Sequence, residues 1–128
     1  MNHDEMIRMC EKFLSEWTSQ DVERVLATYT DDVCYVDPNT RGAVIGADNL
    51  RRYLKKLFSA WEMTWALREA RLFADGGGCA VLWHATFKKA GGGKMVEADG
   101  MDFVLVENGR VKKNEVYFDR AVLAQLMQ

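Results

Sequence analysis

The chain has 128 residues, of which 48% are hydrophobic, and this predicts a single domain over residues 1–128 with a sizeable core. The formal net charge is −2 and acidic residues are interleaved with basic ones, so nucleic acid is not an expected partner. No apolar run approaches the roughly 18 residues of a membrane span, and the first residues lack the basic and apolar parts of a signal peptide. No membrane partner is therefore expected, and a cytoplasmic location is predicted.

The cysteines and glycines do not follow the pattern of a metal or cofactor site. Cys10, Cys34 and Cys79 are scattered, with no CxxC pair and no histidine cluster, so they are interpreted as small buried hydrophobic residues. Residues 76–78 and 91–93 are glycine runs, and neither opens a predicted helix as a phosphate-binding loop does. We therefore predict turns at both runs, no metal site and no cofactor.

The first half of the chain has the periodicity of helices interrupted by short strands. Apolar residues recur every three or four positions over residues 4–19 and again over 21–29, which predicts two amphipathic helices. A strand is expected over 33–37, a short return strand over 43–45, and a third, strongly amphipathic helix after Gly46. This half therefore supplies the predicted helical layer.

The second half of the chain has the alternating pattern of strands. Four strands separated by glycine-containing turns are predicted over residues 63–74, 79–89, 94–107 and 110–118, and a final helix over 119–127. Helices followed by antiparallel strands indicate an α+β fold, in which the helices cover one face of a strongly curved sheet.

Asp37 is a carboxylate that closes an otherwise apolar strand. The following Pro38 removes a backbone donor and holds Asp37 in an extended conformation, so the side chain is directed by a stiff backbone. We interpret Asp37 as facing a pocket that the rest of the chain encloses. The alternative is that it caps the strand end or binds the amides of a turn, as aspartate commonly does.

Two further titratable residues lie on predicted strand faces with small neighbours. Asp102 alternates with valine, alanine and glycine, so burial is expected to raise its pKa, unless this face is solvated and Asp102 is ordinary. His84 lies on a similar face and could meet Asp102 and Asp37 in one cavity, as a proton shuttle or hydrogen-bond donor, or it could be structural. The matching face of the last strand carries Asn114, Val116 and Phe118.

Several short motifs occur in a familiar order over nearly the whole chain. They are Tyr29-Thr-Asp-Asp, Val36-Asp37-Pro38, Ile45-Gly46 before the third helix, the run from Asp102 to Val111, and Tyr117-Phe118-Asp119. This order resembles the NTF2-like superfamily, and within it the group of ketosteroid isomerase, the SnoaL-type polyketide cyclases and limonene epoxide hydrolase. The resemblance implies a cone-shaped α+β fold with a curved, mixed or antiparallel sheet wrapped around the N-terminal helices.

The resemblance also implies roles for individual residues. Asp37 falls where ketosteroid isomerase has its general base, and Asp102 falls where that enzyme has the protonated acid of its oxyanion hole. Phe13 falls on the oxyanion tyrosine, so one donor is missing, a loss that typically costs on the order of 3–4 kcal/mol of transition-state stabilisation. SnoaL-type cyclases have a histidine at Asp102 and an aspartate at Val116. The epoxide hydrolase also needs an aspartate at Val116, and an arginine near His84, so valine argues against hydrolysis.

The leading expectation is a cofactor-independent enzyme of the isomerase, cyclase or lyase type, acting on an apolar, carbonyl-bearing molecule in a hydrophobic pocket. Asp37 would remove a proton next to the carbonyl group. Asp102, protonated, would donate a hydrogen bond to the enolate oxygen, assisted by His84 or Asn114. The residues expected to line the binding pocket are Phe13, Trp17, Tyr29, Leu54, Asn114, Val116 and Phe118.

The competing expectation is a ligand-binding or dimerisation module without chemistry. Phe13 and Val116 favour it, because each stands where characterised relatives have a donor or an acid. In either case we expect a homodimer formed through the bulky outer face of the sheet. The residues predicted for that interface are Met101, Phe103, Tyr117 and Trp83.

Overall fold

The computed structural model describes residues 2–126. Three helices and two strands form the first part: α1 (His3–Ser19), α2 (Val22–Leu26), β1 (Tyr29–Val36), β2 (Val44–Ile45) and α3 (Ala47–Ala60). Four strands and a short helix follow: β3 (Trp61–Leu72), β4 (Gly78–Lys89), β5 (Met95–Glu107), β6 (Arg110–Tyr117) and α4 (Ala121–Ala124). The predicted α+β class is confirmed.

Local sequence explains where α1 begins and ends. The Asn2 side chain accepts a hydrogen bond from the backbone of Glu5, which caps the first turn. Gln20 adopts a left-handed conformation with φ of 54° and ends the helix. Its side chain then bonds the backbone of Trp61 and Met63, so the end of α1 is tied to the start of β3. The buried face of α1 consists of Met6, Cys10, Phe13, Leu14 and Trp17.

The six strands form one sheet in the order β2-β1-β6-β5-β4-β3. All neighbouring strands are antiparallel except β1 and β6, which run parallel, so the sheet is mixed. Register shifts interrupt β3 between Leu67 and Glu69 and β5 between Leu105 and Val106. Such irregularities increase the twist and bend of a sheet, which agrees with its curvature.

Strand register decides which side chains face the helices. Asp102 lies opposite Val81 on one side and Val116 on the other, and these side chains point to the concave face. His84 lies opposite Asp99. Each of the two is an odd number of residues from Val81 or Asp102 along its strand, so the His84 side chain points to the convex face. The odd-numbered residues of β4 and the even-numbered residues of β5 consequently line the interior together.

Some element boundaries differ from those predicted. Helix α2 ends at Leu26 rather than residue 29, because Tyr29 pairs with Val111 as the first residue of β1. Helix α4 covers only Ala121–Ala124, and Met127 of the predicted final helix lies outside the described residues. Among the helices within residues 2–126, none combines the length and the apolar character needed to cross a membrane.

Candidate functional site

Asp102 is a buried carboxylate in the middle of the concave face, with 5% of its surface exposed. The indole Nε1 of Trp83 donates to its Oδ1 at 2.9 Å, and within the described residues this is the one donor in hydrogen-bond geometry with the carboxylate. Gly100 makes room for the indole ring, because a Cβ at this position would lie 2.4 Å from the Trp83 ring. Gly100 on β5 thus leaves space for the Trp83 ring on β4, and Trp83 in turn fixes one oxygen of the Asp102 carboxylate.

Burial raises the pKa of Asp102 to about 6, and the negative charge of Asp37 adds to the rise. The hydrogen bond from Trp83 and the nearby Asn114 amide oppose it by favouring the ionised form. The Asn114 Nδ2 nevertheless does not reach hydrogen-bond geometry with any acceptor among residues 2–126. At neutral pH the Asp102 carboxyl is mostly ionised and close enough to its pKa to exchange a proton readily.

A chain of side-chain hydrogen bonds fixes the Asn114 amide beside Asp102. Trp17 Nε1 donates to the Tyr29 hydroxyl at 3.2 Å, and that hydroxyl donates to Asn114 Oδ1 at 2.7 Å. Asn114 is fully buried, so its unpaired Nδ2 carries a desolvation cost of about 1–3 kcal/mol. The interior therefore holds, beside Asp102, a donor without a hydrogen-bond partner among residues 2–126.

Asp37 follows β1 and accepts four hydrogen bonds. Its Oδ1 accepts from the backbone amides of Asn39 and Thr40, at 2.7 and 3.0 Å. Its Oδ2 accepts from the hydroxyls of Tyr35, at 2.7 Å, and Tyr53. A carboxylate has about four lone-pair positions, so all of them are occupied here. The turn-amide contacts considered from the sequence are thus present.

Three spaces that share lining residues lie around Asp102 and Asp37. The innermost has a volume of about 30 Å³ and is lined by Asp102, Trp17 and Val116, among others. A second space of about 40 Å³ shares Trp17 and Val116 with it and also contacts Asp37 and Phe118. Each of these two spaces is large enough for a water molecule or two, and a ligand entering them must displace side chains.

The third space is a wide groove at the surface, with a volume of about 610 Å³. It lies between α3, the start of β3 and α4, and it shares Asn39, Leu57, Trp61 and Leu123 with the second space. Shared lining residues therefore link the groove to the space beside Asp37, and that space to the one beside Asp102. Of the described side chains, no group of three histidines, cysteines, aspartates or glutamates is arranged to hold a metal ion.

Comparison with known families gives the site its context. The model of the SnoaL-like domain family matches residues 10–114. The chain belongs to this family. The resemblance to the NTF2-like superfamily seen in the sequence motifs is thereby confirmed. Among curated proteins, no sequence match is found for this SnoaL-like domain.

Solved structures of similar fold share little sequence with this SnoaL-like chain. A proposed isomerase from Bacillus subtilis is 13% identical, with a TM-score of 0.86 over 99% of this chain and 96% of that one. An NTF2-like protein of unknown function from Burkholderia pseudomallei is 21% identical, with a TM-score of 0.82 over 100% and 99%. A proposed SnoaL-like polyketide cyclase from Jannaschia sp. is 16% identical, with a TM-score of 0.79 over 96% and 91%. At these identities the likeness is one of fold.

The residues predicted to bind a ligand fall into two groups in the SnoaL-like fold. Trp17, Val116 and Phe118 line the two inner spaces as expected, with Asn114 and Tyr29 immediately behind them. The other two predicted residues do not line these spaces. Phe13 packs edge-on against the Tyr29 ring and lines a separate groove beside α2, and Leu54 is fully buried on α3.

The expected convergence of His84 with Asp102 is wrong. The His84 side chain is 42% exposed on the convex face, where Nδ1 bonds Asp99 at 2.8 Å and Nε2 bonds Glu97 at 3.0 Å. The bond with Asp99, and then that with Glu97, raises the pKa of His84. These contacts tie the imidazole to two exposed acids, so His84 is no part of the site.

Four aromatic residues of the site were missed from the sequence. Tyr35 and Tyr53 hold Asp37, Trp83 holds Asp102, and Trp65 lines both inner spaces. For Tyr35 a signal was available, because it lies two residues before Asp37 in the predicted strand over 33–37 and would share its face. Tyr53 is distant in sequence, and only the packing of α3 on β1 reveals its role.

Proposed function

We propose that this SnoaL-like domain is a cofactor-independent acid/base enzyme of the isomerase or cyclase type. It moves a proton on a carbon atom next to the carbonyl group of an apolar substrate. The observation that carries the proposal is Asp102, a buried carboxyl that lines the innermost space with one oxygen held by Trp83. A pKa displaced toward neutrality in such a pocket is typical of a general acid or base.

The proposed reaction uses Asp102 as the group that takes and returns the proton. The ionised carboxylate removes a proton from the carbon, the electron pair of the C–H bond moves into the enolate, and the same carboxyl later gives the proton to another position. The Nδ2 of Asn114 is the proposed donor to the enolate oxygen, since it is buried beside Asp102 without a hydrogen-bond partner among residues 2–126. It lies behind the side chains that line the inner spaces, so those side chains must move before it reaches a substrate. Trp83 keeps the carboxylate in one orientation.

This assignment differs from the sequence expectation for Asp37. A base must have a lone pair directed at the substrate proton, and all four positions of the Asp37 carboxylate face donors. In our proposal Asp37 holds Tyr35 at the wall of the middle space and Tyr53 at the wall of the surface groove. The proton transfer is assigned to Asp102 because, among residues 2–126, its carboxylate accepts one hydrogen bond, so lone pairs remain that can take a proton.

The reaction class is supported by family membership, with relatives that include a proposed polyketide cyclase and a proposed isomerase. Isomerisation, aldol cyclisation and dehydration share the first step, the removal of a proton beside a carbonyl group. The proposal therefore covers the shared step, and the fate of the enolate depends on the substrate.

The test is catalysed hydrogen exchange, which needs no knowledge of the natural product. Cyclic ketones, with 1-tetralone as the reference, are incubated in D₂O, and loss of the signal of the protons beside the carbonyl is followed by proton NMR. We expect the wild-type protein to accelerate exchange, Asp102→Asn to abolish the acceleration, and Asp99→Asn to retain it. Asp99 is the matched control because it lies on the same strand with its side chain on the convex face. Equal rates for wild type and Asp102→Asn would refute the proposal.

A second candidate is a binding module without chemistry. It is favoured by the size of the two inner spaces, about 30 and 40 Å³, which leaves little room for a substrate beside Asp102. Saturable binding of a ketone with no acceleration of exchange would support this candidate against the enzyme.

The proposed assembly is a homodimer formed through the convex face of the sheet. Met101 and Phe103 are half-buried there, and Tyr117 is 54% exposed. Trp83 was also expected at this interface, and that placement is wrong, because its ring is buried on the concave face against Asp102 and Phe118. The surface proposed for dimerisation therefore consists of Met101, Phe103 and Tyr117, with His84 and its acids beside them.

A further inference from the structure

We propose that the groove at the mouth of the site selects anionic substrates, namely ring-bearing apolar molecules that carry a carboxylate or a phosphate at the end opposite the reacting carbonyl. This inference rests on the proposed function for the position of the reacting end. The preference of the groove for an anion can itself be tested by measuring ligand binding, without an activity assay.

The groove combines an apolar floor with cations at its rim. Leu57, Trp61 and Leu123 form walls that continue into the space beside Asp37, and the exposed side chains of Lys56 and Arg120 stand at the surface. Among residues 2–126, no acidic side chain lines the groove. The full lining is Asn39, Tyr53, Lys56, Leu57, Ala60, Trp61, Arg120, Ala121, Leu123 and Ala124.

The two cations have no acidic partner in the part of the chain that the structure describes. Salt bridges there engage other basic residues of the same region, such as Arg51 with Glu23 and Asp48, and leave Lys56 and Arg120 out. Two positive charges beside a low-dielectric wall attract an anion and focus its approach. The arginine adds a planar fork that fits a carboxylate or a phosphate.

The volumes of the groove and of the two inner spaces indicate that the anionic group of a substrate stays at the rim of the groove. About 610 Å³ lies within the usual range of ligand pockets, roughly 300–1,000 Å³, whereas the inner spaces, of about 30 and 40 Å³, have room for no more than a water molecule or two. The body of a substrate therefore rests on Trp61 in the groove while its carbonyl end enters past Leu123. The charged end then remains at Lys56 and Arg120, in water.

The experiment compares 2-naphthoate with its neutral isostere 2-naphthamide by isothermal titration calorimetry at low salt. We expect the wild-type protein to bind the carboxylate about tenfold more tightly, and added salt to reduce this preference. The Lys56→Gln, Arg120→Gln double variant should bind both compounds equally. Lys55→Gln, an exposed neighbour on α3 outside the groove, should keep the preference. 2-Naphthyl phosphate, as a further ligand, distinguishes a phosphate-bearing substrate from a carboxylate-bearing one.

Equal affinity of wild type for naphthoate and naphthamide would overturn the inference. So would a lack of saturable naphthoate binding, or a preference that survives in the double variant. Asp102→Asn separates this result from the proposed function, since it should keep the carboxylate preference. A retained preference together with no catalysed exchange would refute the enzyme and leave the anion groove in place.

A different observation supports a second inference, on two cysteines distant in sequence. Cys10 on α1 and Cys79 on β4 are fully buried, and their Sγ atoms lie 3.7 Å apart. We infer that these two thiols form a disulfide when the protein meets a thiol oxidant of the diazene or disulfide class. The hydrogen bond between the two thiols lowers the pKa of Cys79 and raises that of Cys10.

The oxidation changes how the interior is held together. Each thiol gives up a proton and an electron, diamide takes up both hydrogens as the hydrazine, and a bond forms between the two sulfur atoms. The bond joins α1, which carries Trp17, to β4, which carries Trp83, so two walls of the site become covalently linked. The oxidised protein is expected to unfold at a higher temperature, because the link closes a long loop.

The test is diamide treatment for several hours, followed by denaturation, alkylation with iodoacetamide and peptide mass spectrometry. We expect a linked Cys10–Cys79 peptide pair and an alkylated Cys34 in the wild-type protein. Cys34→Ser should keep the link, whereas Cys10→Ser and Cys79→Ser should lose it; Cys34 is the matched control because it lies on β1 away from the pair. Three alkylated cysteines, or a link through Cys34, would overturn the inference.

Discussion

Trp83 donates its indole hydrogen to Asp102 at 2.9 Å, while the adjacent ring atoms Cζ2 and Cη2 lie against Gly100. One aromatic side chain therefore depends on a missing Cβ and in turn orients the carboxylate. The position of Asp102, its protonation and the packing of β4 against β5 are thus linked by a single ring.

Replacement of Trp83 by phenylalanine should raise the pKa of Asp102 further. The substitution keeps most of the ring and removes the donor that favours the ionised carboxylate. An NMR titration of the Asp102 side-chain carboxyl measures the change. Trp65→Phe is the control, because Trp65 lines the same space without bonding Asp102. An unchanged or lower pKa in Trp83→Phe would contradict the role given to the indole.

Gly100→Ala should destabilise the protein by about 1–3 kcal/mol, as overpacking of a core typically does. The added Cβ would meet the Trp83 ring at 2.4 Å and the backbone oxygen of Tyr117 at 2.7 Å. Urea unfolding measures the loss. Gly93→Ala is the control, because a Cβ there meets nothing within 4 Å. If the two variants were equally stable, the close packing described around Gly100 would be incorrect.

Asp102→Asn should make the protein more stable at neutral pH. The pKa of Asp102 rises from 3.8 to about 6 on folding, so its ionisation opposes folding. The contribution of this group to stability is complete below pH 4 and is lost as the pH rises through 6, a difference of about 3 kcal/mol. Urea unfolding at pH 3.5 and 7.5 should show a gain for the variant only at the higher pH.

The control for that experiment is Asp99→Asn, which should show the opposite sign. Its carboxylate is exposed, and the hydrogen bond from His84 lowers the pKa of Asp99. Its contribution to stability is therefore present at neutral pH and is lost as the pH falls. A stability gain in both variants at pH 7.5 would mean that net charge, rather than burial of Asp102, is responsible.

Asp37→Asn should reduce stability more than it reduces proton exchange. An amide can accept hydrogen bonds at one atom only, so two of the four donors around residue 37 lose their partner, at a cost of about 2–4 kcal/mol. Urea unfolding and the ketone exchange assay measure the two effects. Asp75→Asn, in an exposed turn, is expected to cost little. Complete loss of exchange in a stable Asp37→Asn protein would restore Asp37 as the base.

The proposed homodimer predicts twice the chain mass in sedimentation at micromolar concentration. Lysine at both Met101 and Tyr117 should produce a folded monomer, because two desolvated charges would oppose association on the convex face. Ile45→Lys, an equally exposed apolar position on β2, should remain dimeric. A wild-type monomer would refute the proposal.

Much of the fold could be predicted from local patterns. The helices follow from their apolar stripes, and the strands follow from alternation and glycine turns, as at Gly109 with φ of 78°. The motifs around Asp37 and Asp102 indicated the superfamily. Boundaries were less accurate where tertiary pairing competes with periodicity, as at Tyr29, which begins a strand because Val111 lies beside it.

The site could be predicted only in part, because alternation does not give register. Asp102 and His84 each lie among small residues, and the sequence interpretation placed both inside. Pairing of His84 with Asp99 puts the two on opposite faces. The large apolar side chains of Trp83 and Phe87 were the better signal for the inner face of β4, since a charged neighbour such as Lys88 must remain in water.

The parallel pairing of β1 with β6 also affects the order in which the protein can form. Strand β1 is synthesised early, yet its neighbour β6 is the last strand of the chain. Until β6 docks, Tyr29 has no Asn114 to bond, and the aromatic face of α1 lacks part of its covering. Folding must wait for this distant contact, which is expected to be slow. The nascent chain consequently completes the surroundings of Asp102 as one of its final folding steps.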